Sequence, residues 1–160
     1  MELHAGEVKL RELHVNDAPE VHPWFHAENL VHQGLLEPSP GLVQQALTVN
    51  ETNTREDPRT KYWLGIEHHG QLVGCVTLAV IAPGTGDLGW MLHSGHRGHG
   101  YATRAATALM DYGFGTLGLT RIQATPHPDN TASRAVAERI GMTQEHVQAD
   151  AVMYAVTASG

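Results

Sequence analysis

A run of glycines flanked by basic side chains, His96-Arg97-Gly98-His99-Gly100-Tyr101-Ala102-Thr103, is the part of this chain best equipped for chemistry. Upstream, Leu88 to Leu92 reads as a short apolar strand. Downstream, apolar residues recur at Ala102, Ala105, Ala106, Leu109, Met110 and Leu117, the spacing of one buried helix face. A glycine loop that leaves a strand and opens a helix presents unpaired backbone N–H groups at the positive end of a helix dipole, which binds phosphate or pyrophosphate. Glycine is required there because a Cβ would hold the phosphate away from the backbone.

Spacing narrows the choice of phosphate binder. A nucleoside-triphosphate loop ends in Gly-Lys-Ser/Thr, which is absent. The dinucleotide pattern G-x-G-x-x-G fails in this loop at Thr103. It occurs instead at Gly113, Gly115 and Gly118, at the end of the helix, where it reads as helix termination. What remains is Arg97-x-x-Gly100-x-Ala102. This resembles the acetyl-CoA pyrophosphate loop, R/Q-x-x-G-x-G/A, of the GNAT superfamily of N-acetyltransferases.

The resemblance continues downstream. Pro128-Asp129-Asn130-Thr131-Ala132-Ser133-Arg134, followed by a helix closing at Ile140-Gly141-Met142, is similar to the family's second motif. Its form D-N-x-x-S-R, with Tyr112-Gly113-Phe114 and the terminal Val152 to Thr157, is similar to the branch that acetylates the N-termini (alanine among them) of ribosomal proteins. The matches span roughly residues 86 to 157. The resemblance implies acetyl-CoA as co-substrate, with Arg97, Gly98, His99, Gly100, Tyr101, Ala102 and Thr103 on its pyrophosphate. It also implies backbone N–H groups of Trp90, Met91 and Leu92 near the reacting carbonyl, and Asn130 on the pantetheine arm. Asn130 reads equally well as a helix N-cap, and the two roles are compatible.

Attack of an amine on a thioester needs a neutral amine, a stabilised oxyanion and a proton for the departing thiolate. The family tyrosine that supplies this proton falls at Ala137 here; the ribosomal-protein branch often has a serine at the position of Ser133, so the resemblance implies Ser133 as the candidate donor. The branch often carries a glutamate base in a segment like R-V-E-A. This chain reads Arg121-Ile122-Gln123-Ala124, so the base candidates become Asp87 and His93, with His127 behind them. The structural alternatives, a helix-bonded Ser133 and a solvated Asp87 or His93, stay open at this stage.

Composition sets limits. At 160 residues, the chain is expected to be one GNAT domain, 1–160, with its own core. A formal net charge of −7 disfavours a nucleic-acid partner and suits a cationic amine, while the loop is locally basic through Arg97 and Arg104, with His96 and His99 nearby. No apolar run approaches ~20 residues and no leader-like N-terminus is apparent, so the expectation is a cytoplasmic protein with no membrane partner. The single cysteine, Cys75, lies in an apolar run and reads as a buried strand thiol. Twelve histidines raise a metal hypothesis. His93, His96 and His99 have no facing geometry across a strand end and loop, and His68-His69 would point apart if extended, so no metal site is expected. His22, Trp24, Phe25 and His26 form an aromatic cluster that either anchors a helix or shapes an acceptor pocket.

The positioning elements follow from the punctuation. Strands are expected at Glu7 to Leu13, Lys61 to Glu67, Leu72 to Ile81, Asp87 to His93, Arg121 to Thr125, Gln144 to Gln148 and Ala151 to Thr157. Helices are expected at Asp17 to His32, Pro40 to Thr54, the segment after Gly100, and Thr131 to Ile140, with turns at Gly34, Pro38-Ser39-Pro40 and Pro83-Gly84-Thr85-Gly86. This order matches what the resemblance implies: an α+β GNAT fold, a mixed sheet splayed in the middle with helices on both faces. The implied activity is direct acetyl transfer to an amine, with protein N-termini, polyamines, amino acids and aminoglycoside-like amines as candidate acceptors and a homodimer as an open possibility. The competing reading is a silent CoA-binding sensor, suggested by Gln123 and Ala137.

Overall fold

The computed structural model describes residues 1–25, 40–93 and 95–158. Eight strands form one sheet in the order β1-β2-β3-β4-β5-β6-β8-β7. They are β1 Glu2–Ala5, β2 Val8–Glu12, β3 Lys61–His68, β4 Gln71–Ala82, β5 Thr85–Leu92, β6 Arg121–Ala124, β7 Thr143–Val147 and β8 Val152–Thr157. Every neighbouring pair is antiparallel except β5 and β6. A parallel pair needs a crossover, and helix α3, Tyr101–Gly115, supplies it.

That crossover creates the central feature of the sheet. The β5–β6 ladder runs from Thr85↔Arg121 to Asp87↔Gln123 and no further. Beyond Asp87, β5 continues to Leu92 with its β6-side edge unpaired, so the sheet splays as the resemblance implied.

The two faces are packed differently. α3 and α4, Thr131–Arg139, cover one face. There Ala105, Ala106 and Leu109, all fully buried, meet Leu64, Leu78 and Ile122 in the larger core. Each large side chain so buried contributes about 1.5–3 kcal/mol relative to exposure. Gly113 belongs to this packing, since a Cβ there would come within 2.9 Å of Ile122 Cδ1. It is therefore a close-approach residue inside the helix, while Gly115 ends α3 and Gly118, at φ +69°, turns the chain away. Leu117 lies beyond the helix and is only half-buried, so it does not extend the helical stripe.

The opposite face carries α1, Ala18–Val21, and α2, Pro40–Asn53, over a smaller cluster of Leu13, Val21, Val43, Leu47, Leu72 and Cys75. Ion pairs supplement this thinner packing. Arg11 on β2 holds Asp17 with two hydrogen bonds of 3.0 Å and Glu67 with one of 2.7 Å, tying the entry of α1 to β3. Arg59 grips Glu12 at 2.6 and 2.9 Å and pins the segment after α2 to β2.

Three expectations change. The strand expected over Glu7 to Leu13 is the second arm of a hairpin, because Gly6 at φ +63° turns β1 back on β2. The helix expected from Asp17 is short: α1 is flanked by 3-10 turns at Val15–Asp17 and His22–Phe25, and the remainder, with the turns at Gly34 and Pro38-Ser39, lies outside the described residues. The turn after β4 is narrower than expected, since Thr85 already belongs to β5.

Candidate active site

A cleft of about 370 Å³ opens between the free end of β5, the glycine loop and α4. Eleven of the expected site residues line it: Trp90, Met91, Leu92, Arg97, Gly98, Gly100, Tyr101, Ala102, Thr103, Asn130 and Ser133. Gly98 and Gly100 take φ values of +86° and +77°, and the space where a Cβ would project from either is open. Gly100 stands at the N-cap position of α3, so the first-turn N–H groups of the helix face this loop. A phosphate can therefore approach the backbone closely, the geometry an anion cradle needs. A side chain at either glycine would occupy that approach.

The strand wall supplies a second set of donors. His93 N donates to Val73 O at 2.8 Å, which fixes which edge each β5 amide faces. In the same register, Met91 and Gly89 exchange hydrogen bonds with Cys75 and Thr77 on β4. Strand alternation then turns the N–H groups of Trp90 and Leu92 into the splay and Met91's away from it. Of the three expected backbone donors, two point where a carbonyl oxygen could sit. Trp90 contributes more: its indole Nε1 is buried with no hydrogen-bond partner, an orphan donor on the cleft wall. Such a group is costly to leave unsatisfied and is well placed for a polar ligand. The orphan donor, the open cradle and the splayed strand together fit a long ligand with a diphosphate and amide-bearing arm, as acetyl-CoA has.

Helix α4 forms the other wall. Asn130 caps it, its Oδ1 accepting from Ser133 N at 3.0 Å, so the N-cap role is real and Oδ1 is engaged. Ser133 lies one turn into the cleft-lining face. Ala132, Ala135, Val136 and Arg139 line the same wall and were not anticipated, although their three-and-four spacing from one another is the signal that would have found them. Arg139 adds a second cation to Arg97 along the cleft. Ala137, where the family tyrosine would stand, is fully buried on the core side of α4. Tyr154 does not replace it, because its hydroxyl is bound to Arg134 and Glu138 at 3.3 and 3.2 Å.

The remaining expected residues fall elsewhere. His99 stacks on Tyr101 with ring centroids 5.3 Å apart and is not among the cleft-lining residues. Tyr101 also meets the His68 ring at 4.7 Å. His68 and His69 do not point apart: His69 sits at φ +50°, which folds its ring to 4.1 Å from its neighbour. His93 and His96 approach to 6.0 Å, closer than the strand-to-loop argument allowed. Arg104 is paired with Glu7 at 3.1 Å and so does not serve the loop. His127 Nδ1 accepts from the backbone N–H of Asp129 at 3.1 Å, which occupies that nitrogen locally. Of the aromatic cluster, the side chains of Trp24 and Phe25 and all of His26 lie outside the described residues.

Asp87 lies at the root of the splay, on the opposite sheet face from Leu88, Trp90 and Leu92. The large core takes Leu88 with Trp90 and Leu92, whereas Met91 packs against the α1–α2 cluster, so Asp87, Gly89 and Met91 share that second face. Its carboxyl is half-buried, and burial raises its pKa above the usual carboxylate value; a hydrogen bond from Gln123, its ladder partner, offsets part of the rise. Relative to what the resemblance implies, position 123 thus holds an amide in exchange for a carboxylate, and a carboxylate, Asp87, stands directly opposite it across the β5–β6 ladder. Cross-strand pairing was not legible without the register.

Comparison with known proteins agrees with this geometry. Residues 7–143 match the family model described as an acetyltransferase (GNAT) domain. N-acetyltransferase YnaD of Bacillus subtilis, itself uncharacterised, is 41% identical over 61 residues, covering 38% of this chain and 36% of that relative. The chain thus spans about a third of that protein's length. In fold, the chain is similar to a Vibrio cholerae protein named as a ribosomal-protein-serine acetyltransferase, with TM-score 0.82, 22% identity, and 99% and 98% of the two chains covered. It is likewise similar to RimL, a ribosomal L7/L12 alpha-N-protein acetyltransferase solved with coenzyme A, with TM-score 0.82, 19% identity and 98% of each chain covered. The chain belongs to the GNAT family of acetyltransferases, whose acetyl donor is acetyl-CoA.

Proposed function

We propose that residues 1–160 act as one domain that transfers the acetyl group of acetyl-CoA directly to a primary amine. One observation carries this reading: inward-facing N–H groups of Trp90 and Leu92 stand on the same strand as Asp87, along the edge of β5 that, among the described residues, pairs with no strand beyond Asp87. The cradle at Gly98 and Gly100, with Arg97, holds the pyrophosphate. The thioester carbonyl then lies against β5, where one of the two inward-facing amides, of Trp90 or of Leu92, takes up the oxyanion.

The amine arrives from the α1–α2 face. Primary amines have pKa near ~10, so presenting one neutral at pH 7 costs about 4 kcal/mol. Asp87 is the base that takes this proton: its raised pKa brings it nearer the amine's, and Gln123 keeps it oriented. The nitrogen attacks the carbonyl carbon, its remaining surplus proton passes to solvent, the C–S bond breaks, and Ser133 gives the thiolate its proton, regaining one from solvent. No covalent enzyme intermediate is needed. His93, two residues beyond Met91, is the second candidate for the base.

A protein N-terminus is one acceptor consistent with the fold likeness to ribosomal-protein acetyltransferases. Among the described residues no helix is long and apolar enough to cross a membrane. The silent-sensor reading rested on Gln123 and Ala137; a carboxylate beside Gln123 removes half of its support. Thiol release from acetyl-CoA, measured against a panel of amines, decides between the two. We expect release with at least one amine; acetyl-CoA binding without release from any of them leaves only the sensor.

A further inference from the structure

The α1–α2 face carries a second groove, of about 610 Å³, between α2 and strands β3 and β4. Its helix wall carries Leu42, Ala46 and Val49 together with the amides Gln45, Asn50 and Asn53; its floor includes Trp63, Thr77 and Ala79. Leu42 and Val49 are each 53% exposed, an unusual placing for large apolar residues that line a concavity. The lining includes one charged residue, Lys61, and no carboxylate. Its volume is that of a small-molecule site.

The groove leads to the proposed base. Ala79 on its floor is directly opposite Asp87 in the β4–β5 ladder. Thr77 is opposite Gly89, where a Cβ would come within 2.7 Å of the Thr77 hydroxyl. The missing side chain keeps the floor level from Thr77 toward the splay. An acceptor whose nitrogen meets the carbonyl near Trp90 and passes its proton toward Asp87 must extend its body somewhere on this face, and the groove offers apolar contact one strand away.

We propose that this groove holds the apolar body of the acceptor, so that the substrates taken are small primary monoamines carrying an aromatic or branched hydrocarbon group. The inference rests on the acetyl-transfer reading and narrows its acceptor. Polyamines suit the groove poorly: a second ammonium would meet Lys61, neutral amides and hydrocarbon where it needs a carboxylate.

The test compares phenethylamine with spermidine as acceptors and adds the surface variant Leu42→Asp. Wild type is expected to favour phenethylamine at least tenfold in kcat/KM. Leu42→Asp is expected to raise the phenethylamine KM at least fivefold and to lower that of spermidine, with acetyl-CoA affinity unchanged. A gain with spermidine cannot come from misfolding. Preference of wild type for spermidine, or for an N-terminal peptide over both, overturns the groove while leaving acetyl transfer intact. If no amine releases CoA, the transfer reading fails by itself. The groove is then read by calorimetric titration of phenethylamine: binding lost in Leu42→Asp supports it, and no binding to wild type overturns it.

Discussion

The two faces of this sheet meet at one strand but are built on opposite principles. On the α3–α4 side, the donors proposed for the ligand are led by backbone groups, amides of β5, a glycine loop and the first turn of α3, fixed by a deep apolar core, with Arg97 and Arg139 beside them. On the α1–α2 side, the surface is side chains, carried on a short helix, a separate longer helix and ion pairs around Arg11 and Arg59. Backbone donors are the same whatever the sequence, so a face made of them suits a constant ligand. A side-chain surface changes with each substitution, which suits the ligand that varies. One cleft can thus keep its donor while the other changes its acceptor.

The sharpest way to break this division is at Gly100. Gly100→Asp places a carboxylate where the cradle is open and where φ is +77°. Charge and bulk together should cut acetyl-CoA affinity by at least about a hundredfold, while aspartate's tolerance of left-handed backbone keeps the fold. Arg97→Ala should cost about tenfold, since the amides remain. Calorimetry with circular dichroism checks both. Equal losses in the two variants would mean that side-chain charge, and not backbone, dominates the donor face.

Asp87 tests the junction of the two faces. Asp87→Asn should lower kcat by about a hundredfold or more, in the range of a lost general base, and abolish the acidic limb of the pH–rate profile. In the parent that limb should lie above the ordinary carboxylate range, because burial raises this pKa. The stability consequence has the opposite sign. The folded state binds a proton more tightly than the unfolded chain, so between the two pKa values stability falls as pH rises, and above both the charged carboxyl is a fixed cost. Asp87→Asn should therefore melt no lower than the parent at pH 7. A slower but less stable variant would mean that Asp87 is a structural anchor.

The same contrast explains what could be read from the sequence. The donor face is written locally: glycine spacing, a helical apolar stripe and an Asn-capped helix lie in consecutive segments, and each took its expected form within a residue or two. The acceptor face is not. Leu42, Trp63 and Thr77 come from three elements; Trp63 and Thr77 meet through strand register, and Leu42 joins them only through the packing of α2 on the sheet. The Asp87–Gln123 exchange likewise depends on a ladder 36 positions apart in sequence, and Arg104 is withdrawn from the loop by Glu7 at the far end of the chain. The doublet His68-His69 misled for a local reason: one left-handed residue reverses the direction in which a ring points.

The smallest expected effect separates architecture from ligand contact within the donor face itself. Asn130 Oδ1 accepts from Ser133 N, which satisfies a first-turn amide of α4. Loss of such a cap costs about 1 kcal/mol. Asn130→Ala should therefore lower the melting temperature by a few degrees. Asn130→Asp, which retains an accepting oxygen, should restore it. A cap whose acceptor oxygen is engaged has only its amide nitrogen left for the ligand, so acetyl-CoA affinity should change less than about threefold in either variant. If Asn130→Asp recovers stability but loses affinity tenfold, the amide nitrogen is a ligand contact in its own right. The donor face would then depend on a side chain at its centre, and the division between a backbone-built face and a side-chain-built one would hold only at the loop.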